Sequence, residues 1–308
     1  MRVAVLIPCC NEEVAIRKVV ADFRAALPNA RIYVYDNNSC DGTATAAREA
    51  GAVVRFESLQ GKGRVVRRMF ADVEADAYVL VDGDDTYDAS DAPEMVRRLH
   101  DERLDMVNAT RIPSSAGAYR SGHQLGNRVL SGIVRLIFGD RVSDLLSGYR
   151  VFSRRFVKSF PALAGGFETE TEFTVHALEL HMPVGEVLSA YRDRPAGSAS
   201  KLRTYTDGLR ILRTIVLLVK EVWPLQFFGM AGFVLLGLAG VLGAPIVVEY
   251  FATRLVPRLP TAVLAATLVG LAFLSFTCGL ILDSVARGRK ESKRIAYLAV
   301  PATGADQT

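Results

Sequence analysis

Across the first two hundred residues, short apolar runs rich in β-formers alternate with stretches in which apolar positions recur at helical spacing. Residues 2–8 form such a run, and a helical pattern follows from Asn11-Glu12-Glu13 through Leu27, predicting a strand, a loop and a helix. Residues 31–35 predict a second strand, 36–43 its polar loop and 45–50 a helix. Residues 52–56 predict a third strand, and Gly61-Lys62-Gly63 opens a helix over 64–73. Val79-Leu80-Val81 then runs straight into Asp82-Gly83-Asp84-Asp85, the pattern of a buried parallel strand delivering carboxylates to a sheet edge. Met106 to Arg111 reads as a strand ending in an arginine, and residues 126–138 as an amphipathic helix carrying Arg128 and Arg135. Glu168, Glu170 and Glu172 alternate with threonine, as on one strand face or in the negative first turn of a helix running to Leu180. The helix start is favoured, with Glu170 reaching the cleft. Together these alternations predict an α/β domain with a mostly parallel sheet, its loops converging on one cleft where Asp36 and Asp82 are neighbours.

The last third of the chain has a different pattern. Residues 225–248 and 261–282 are nearly uncharged, and each exceeds the roughly 20 residues that a helix needs to cross a ~30 Å hydrocarbon layer. A two-helix transmembrane hairpin is expected. Residues 209–220 carry an apolar stripe with cations, as in a helix lying in the membrane interface. The boundaries that follow are a catalytic domain over 1–200, a juxtamembrane amphipathic helix over 201–224, the hairpin over 225–286 and a basic tail over 287–308.

A net charge of +4 on 308 residues is too small to argue for nucleic acid. Its excess clusters at 192–220 and 287–294, beside the apolar segments, which points to an anionic cytoplasmic membrane face at both ends of the hairpin. The four cysteines have neither disulfide-framework nor zinc spacing. Met1-Arg2-Val3 opens directly into a strand without the apolar core of a signal peptide, so the amino-terminal domain is expected in a reducing cytosol. His123, His176 and His181 lack metal spacing and are read as surface or packing residues.

The candidate chemistry starts from Asp82 and Asp84. Two carboxylates separated by one small residue can share Mg²⁺ or Mn²⁺, which in turn neutralises a diphosphate. Lys62 at a helix start suits an anion, although the phosphate-loop pattern is absent. Arginines 111 and 128 have the chemistry to meet a phosphate. Asp144 reads from its surroundings as a helix or turn cap.

Three ordered motifs resemble the family 2 glycosyltransferases with a GT-A, Rossmann-like fold. Pro8-Cys9-Cys10-Asn11-Glu12 is similar to their opening Pro-x-x-Asn-Glu, Asp36 to Thr43 to their Asp-Asp-Asn-Ser-x-Asp-Gly-Thr, and Asp82-Gly83-Asp84 to their Asp-x-Asp. Asn37 stands for a usual aspartate, Cys10 for an aromatic, and Thr86 where lipid-phosphate members often carry glutamine. Further on, Asp144-Leu145-Leu146-Ser147-Gly148-Tyr149-Arg150 and Arg194-Pro195-Ala196-Gly197-Ser198-Ala199-Ser200-Lys201 resemble motifs of the polyprenyl-phosphate and dolichol-phosphate sugar transferases, the dolichol-phosphate mannosyltransferases among them. Tyr149 replaces their phenylalanine, and one residue is added before the final serine-lysine pair. The resemblance covers roughly the first 220 residues. It implies that Pro8, Asn11, Glu12 and Asp36 hold the nucleotide base and ribose, while Asp82 and Asp84 serve the metal and sugar diphosphate. It assigns Arg111, Arg128 and Arg150 to donor or acceptor phosphates, Arg194, Ser198 and Lys201 to the same polar cleft, and Asp144 to the reacting centre as base or orienting group.

The expected activity is inverting transfer of one sugar from a UDP- or GDP-sugar to a membrane polyprenyl phosphate. The expected enzyme is metal-dependent and multi-pass in the cytoplasmic (inner) membrane, with its catalytic domain facing the cytoplasm. A processive polysaccharide synthase is the runner-up, but the chain lacks Gln-x-x-Arg-Trp, its only tryptophan being Trp223, and two spans are few for a polymer channel. A membrane-anchored sugar-nucleotide-binding protein without turnover is the alternative from another class. Sugar, base, prenyl length and oligomeric state are left open, a homo-oligomer included.

Overall fold

The computed structural model describes residues 1–113 and 143–194 apart from 164 and 167, residues 216–301 apart from 218, and residue 132. The chain divides into two compact units, Met1–Ile211 with Lys293–Thr308, and Leu212–Ser292.

The first unit is built on a seven-stranded sheet of order β3-β2-β1-β4-β6-β5-β7. Its strands are β1 (Val3–Cys9), β2 (Arg31–Asp36), β3 (Val53–Phe56), β4 (Ala77–Leu80), β5 (Met106–Pro113), β6 (Arg150–Ser153) and β7 (Val184–Tyr191). Strands β1, β2, β3 and β4 run parallel, as do β5 and β7, while β6 is antiparallel to both β4 and β5. The predicted mostly parallel sheet is therefore present, with one reversed strand. That reversal matters for the site. Because Leu80 pairs with Arg150, the segment entering β6 arrives at the same sheet edge as the acids leaving β4.

Helices α1 (Glu13–Ala26), α2 (Thr43–Glu49), α3 (Lys62–Asp72), α4 (Ala92–Asp101), α5 (Arg154–Ser159) and α6 (Thr169–Glu179) cover the sheet. In α1, Ala15, Ile16, Val19, Val20 and Phe23 are buried at helical spacing. They pack with Val5, Ile7, Val34, Val79 and Tyr149 in one core. Aromatic rings form the other face. Phe152 of β6 lies 4.4 Å from Phe156 of α5 and 4.8 Å from Phe173 of α6. Phe173 also meets Phe70 of α3 and Phe160, so α6 is seated against the sheet by ring packing.

The second unit contains most of two long helices, α7 (Pro224–Thr253) and α8 (Leu259–Leu298). Both are long and apolar enough to cross a membrane by length and composition, and only 17% of each one's most apolar window is buried. A core helix of a soluble domain would be mostly covered. Gly232, Ala239 and Ile246 of α7, and Ala265, Ala272 and Gly279 of α8, are buried at seven-residue intervals. The glycines and alanines among them let two helices approach closely along one seam, which Ile246 closes at its end. Within this unit Ser275 Oγ donates to Phe228 O at 2.7 Å, and the Phe233 and Phe276 rings meet at 5.2 Å.

The stretch expected as a tail from 287 is helical through Leu298. Its end is part of the first unit: Lys293 pairs with Glu179 at 2.7 Å, the Tyr297 hydroxyl donates to Asp105 at 2.8 Å, and Arg155 Nε donates to Val300 O at 2.7 Å. Among the residues of the expected interfacial helix, most lie outside the described residues, as does the helix expected at 126–138.

Candidate active site

The cleft is assembled where β1, β2 and β4 end. Asn37 N–H donates to Cys9 O at 2.8 Å and Val81 N–H to Leu6 O at 3.1 Å, extending the parallel ladders past the strands. Pro8 lies in β1 opposite Tyr35. Asn11 has φ 52°, donates its N–H to Ser39 Oγ at 2.9 Å and accepts Cys40 N–H at 2.7 Å. Buried Glu12 donates its N–H to Thr43 Oγ1 at 2.8 Å, and Glu13 accepts Gly42 N–H at 2.9 Å. These contacts clasp the first loop to the second. Between the two, Asp36 is buried and its Oδ1 has no partner among the described residues. A buried carboxylate oxygen left open in this way is ready to accept an N–H.

Cys9 shows how closely the acids gather. Burial pushes its thiol well above its ordinary pKa, and the charges of Glu12, Asp36, Asp82 and Asp84 push it the same way. The sheet order places the ends of β2 and β4, and with them Asp36 and Asp82, on either side of the end of β1, and Cys9 is an inert packing residue between them.

Asp82 is ion-paired with Lys62, which also pairs with Glu170 at 2.5 Å. Burial lowers the Lys62 pKa, but the charges of Asp82 and Glu170 outweigh it, so the net shift is upward and the ammonium persists. Asp84 is buried. Its Oδ1 accepts from the Thr86 hydroxyl at 2.6 Å and its Oδ2 meets Arg194 at 2.7 Å. Burial, then the charge of Asp82, raises the Asp84 pKa. The two carboxylates therefore form an anionic pair on which cations already converge. Hard oxygen donors of this kind fit Mg²⁺ or Mn²⁺, which completes its shell with waters and substrate oxygens. No group of three or more acidic, histidine or cysteine side chains suited to a metal occurs among the described residues.

Asp144 and Arg111 form the second pair. Arg111 Nε and Nη2 donate to the two carboxylate oxygens of Asp144 at 2.6 and 2.8 Å, and the guanidinium lies over Tyr191 at 5.3 Å. Burial raises the Asp144 pKa, but the hydrogen bonds and charge of Arg111, with help from Arg150, bring it below the ordinary value. The loop carrying Asp144 touches the first pair directly. Gly148 lies so close to the Asp82 carboxylate that a Cβ there would collide with it. Its N–H donates to the Tyr87 hydroxyl at 2.8 Å.

Arg150 differs from its expected role. It is fully buried and spends its donors on Leu145 O at 2.7 Å, Ser147 O at 3.0 Å and Thr174 Oγ1 at 2.8 Å, with Phe173 beneath the guanidinium. Burial lowers its pKa to about 10. It shapes the Asp144 loop from inside the protein instead of meeting a phosphate. Arg128, Ser198 and Lys201 lie outside the described residues.

Glu170, expected from the sequence only as a helix-start residue reaching the cleft, is the buried partner of Lys62, and Asn37 and Thr86, noted only as departures from the family pattern, also make site contacts. Asn37 Nδ2 donates to Glu57 O at 2.9 Å and Leu59 O at 3.0 Å, and its Oδ1 accepts Gly61 N–H at 2.7 Å. An aspartate has no N–H for two carbonyls, so this departure from the family pattern ties down the loop that presents Lys62. The departure itself was the available signal.

Residues 4–160 match the glycosyl transferase family 2. The glycosyltransferase AglJ of Haloferax volcanii is 32% identical over 301 residues, covering 96% of this chain and 98% of that protein. A dolichyl-phosphate hexose transferase of the same organism is 27% identical over 69% of this chain and 92% of its own length. Glucosyl-3-phosphoglycerate synthase from Mycobacterium tuberculosis, solved with Mn²⁺ and UDP-glucose, has the same fold, with a TM-score of 0.57 at 24% identity over 72% of this chain and 79% of that one. With the sheet, the loop pairings and the Asp82-Gly83-Asp84 edge in place, the chain belongs to glycosyl transferase family 2.

Proposed function

We propose that this glycosyltransferase moves a single sugar, with inversion, from a UDP- or GDP-sugar to a membrane polyprenyl phosphate. The observation that carries the reading is the contact of Gly148 with Asp82, which joins the Asp82–Asp84 edge and the Arg111–Asp144 pair into one cleft. A lipid acceptor is supported by the two apolar helices and by likeness to the dolichyl-phosphate hexose transferase. Asp36 accepts from the base, and Asn11 and Glu12 frame the ribose. Lys62 and Arg194 meet the diphosphate, and Asp82 with Asp84 would hold Mg²⁺ or Mn²⁺. When bound, that ion neutralises the departing diphosphate. Ser198, Lys201 and Arg128 join the phosphate contacts, and residues 225–248 and 261–282 cross the cytoplasmic membrane with both ends inside.

A phosphate monoester has its second pKa near 6, so at neutral pH the acceptor is mostly dianionic and needs no strong base. Arg111 fixes it by charge-assisted hydrogen bonds, and Asp144, held below its ordinary pKa, orients Arg111. The test is incubation of the full-length protein in membranes with short-chain polyprenyl phosphate and labelled UDP- and GDP-sugars, with and without chelator. One labelled lipid that disappears in chelator is expected. Polymer growth, or nucleotide binding with no labelled lipid from any donor, would overturn the reading.

A further inference from the structure

The start of α6 lies against the start of α3. Gly61 has φ 139°, a conformation that favours glycine, and a Cβ there would strike the backbone oxygen of Gly165, just ahead of α6. Across this contact Lys62 meets Glu170 at 2.5 Å, with side-chain exposures of only 10% and 6%. The second oxygen of Glu170 has no hydrogen-bond partner among the described residues. One turn further along α6, Thr174 accepts from Arg150, the residue that holds the Asp144 loop.

We infer that Glu170 is a positioning residue for the diphosphate of the sugar nucleotide, acting through Lys62; the inference rests on the function proposed above. An ammonium has three donors. With one on Asp82 and one on Glu170, a third remains for a phosphate oxygen. Glu170 belongs to a buried helix seated by Phe173, so it keeps Lys62 in place when Asp82 turns to other partners. Without Glu170 the lysine follows Asp82 and its aim at the diphosphate is lost.

The experiment is calorimetric titration of the full-length protein in detergent with UDP and GDP in the presence of Mn²⁺, using wild type, Glu170→Gln, Lys62→Met and the double variant, with melting curves as a folding control. Glu170→Gln is expected to weaken nucleotide diphosphate binding about 10- to 100-fold. In the Lys62→Met background it adds no more than about twofold, because the coupled contact is already gone. In transfer assays the loss falls on the donor KM more than on kcat. Glu170→Asp, which keeps the charge one methylene further back, reads a smaller loss of the same kind should the glutamine variant fail to fold. Equal losses in both backgrounds, or unchanged binding in Glu170→Gln, overturn the inference alone. A wild type that binds neither nucleotide overturns the functional reading beneath it.

Discussion

Asp144→Asn separates an orienting carboxylate from a catalytic base. The substitution removes the charge from a bidentate pair whose side chains are 12% and 7% exposed, and leaves one carbonyl oxygen to accept from Arg111. Hydrogen bonds to charged groups contribute roughly 1.5–3 kcal/mol. Stranding a buried partner costs about 3–5 kcal/mol. With one acceptor retained, a destabilisation of about 2–3 kcal/mol is expected. Turnover should fall about 10²- to 10³-fold, as when one preorganised electrostatic contact is lost.

The pH dependence follows from the sign of the shift. The Asp144 pKa is lowered on folding, so its contribution to stability is complete above the unfolded value of 3.8 and is lost as pH falls through the folded value. Any rate limb near pH 6 therefore belongs to the acceptor phosphate, and it should survive in Asp144→Asn with a lower plateau. The assay is lipid-linked sugar formation from pH 4.5 to 9 with wild type and variant. A limb that vanishes in the variant, or a variant rate that climbs steadily to the wild-type value at high pH, would refute orientation and make Asp144 a base.

Asp84→Asn should abolish transfer while the fold persists, since it removes charge from a buried acid already crowded by Asp82; full activity of this variant in chelator would refute the metal role. Arg150→Lys keeps the charge but lacks the fork that reaches Leu145 O, Ser147 O and Thr174, so stability should drop by about 2–4 kcal/mol in denaturant titrations, with transfer falling because the Asp144 loop loosens. Burial, then the charge of Lys293, lowers the His176 pKa to about 3, so the unfolded chain binds the extra proton below pH 6.5 and stability falls as pH drops from there toward 3. At pH 5 the loss is about 2 kcal/mol, and His176→Gln should flatten that part of the stability–pH curve.

The sequence by itself determined the repeating strand–helix units, the strand that ends in Asp82-Gly83-Asp84 and the two long apolar helices. Each is a local pattern: side chains alternate with the period of the element they occupy, and uncharged runs are long enough to need no tertiary partner to be recognised. That the loops after β1, β2 and β4 meet at one edge was legible too, because parallel units place every such loop there. The tertiary structure decided what depends on elements far apart in the chain. Arg150 carries the same charge as Arg111, and only the antiparallel insertion of β6 puts one inside the core and the other in the cleft with Asp144. Glu170 was legible as a helix-start residue reaching the cleft, but not its partner; packing of Phe173 among Phe70, Phe152 and Phe160 is what delivers it to Lys62. Likewise the end of α8 is charged along its length, yet Lys293 and Tyr297 find Glu179 and Asp105 more than a hundred residues away in sequence. Spacing encodes the face on which a side chain lies, whereas the partner it meets is set by how faces from distant segments close around a shared apolar core.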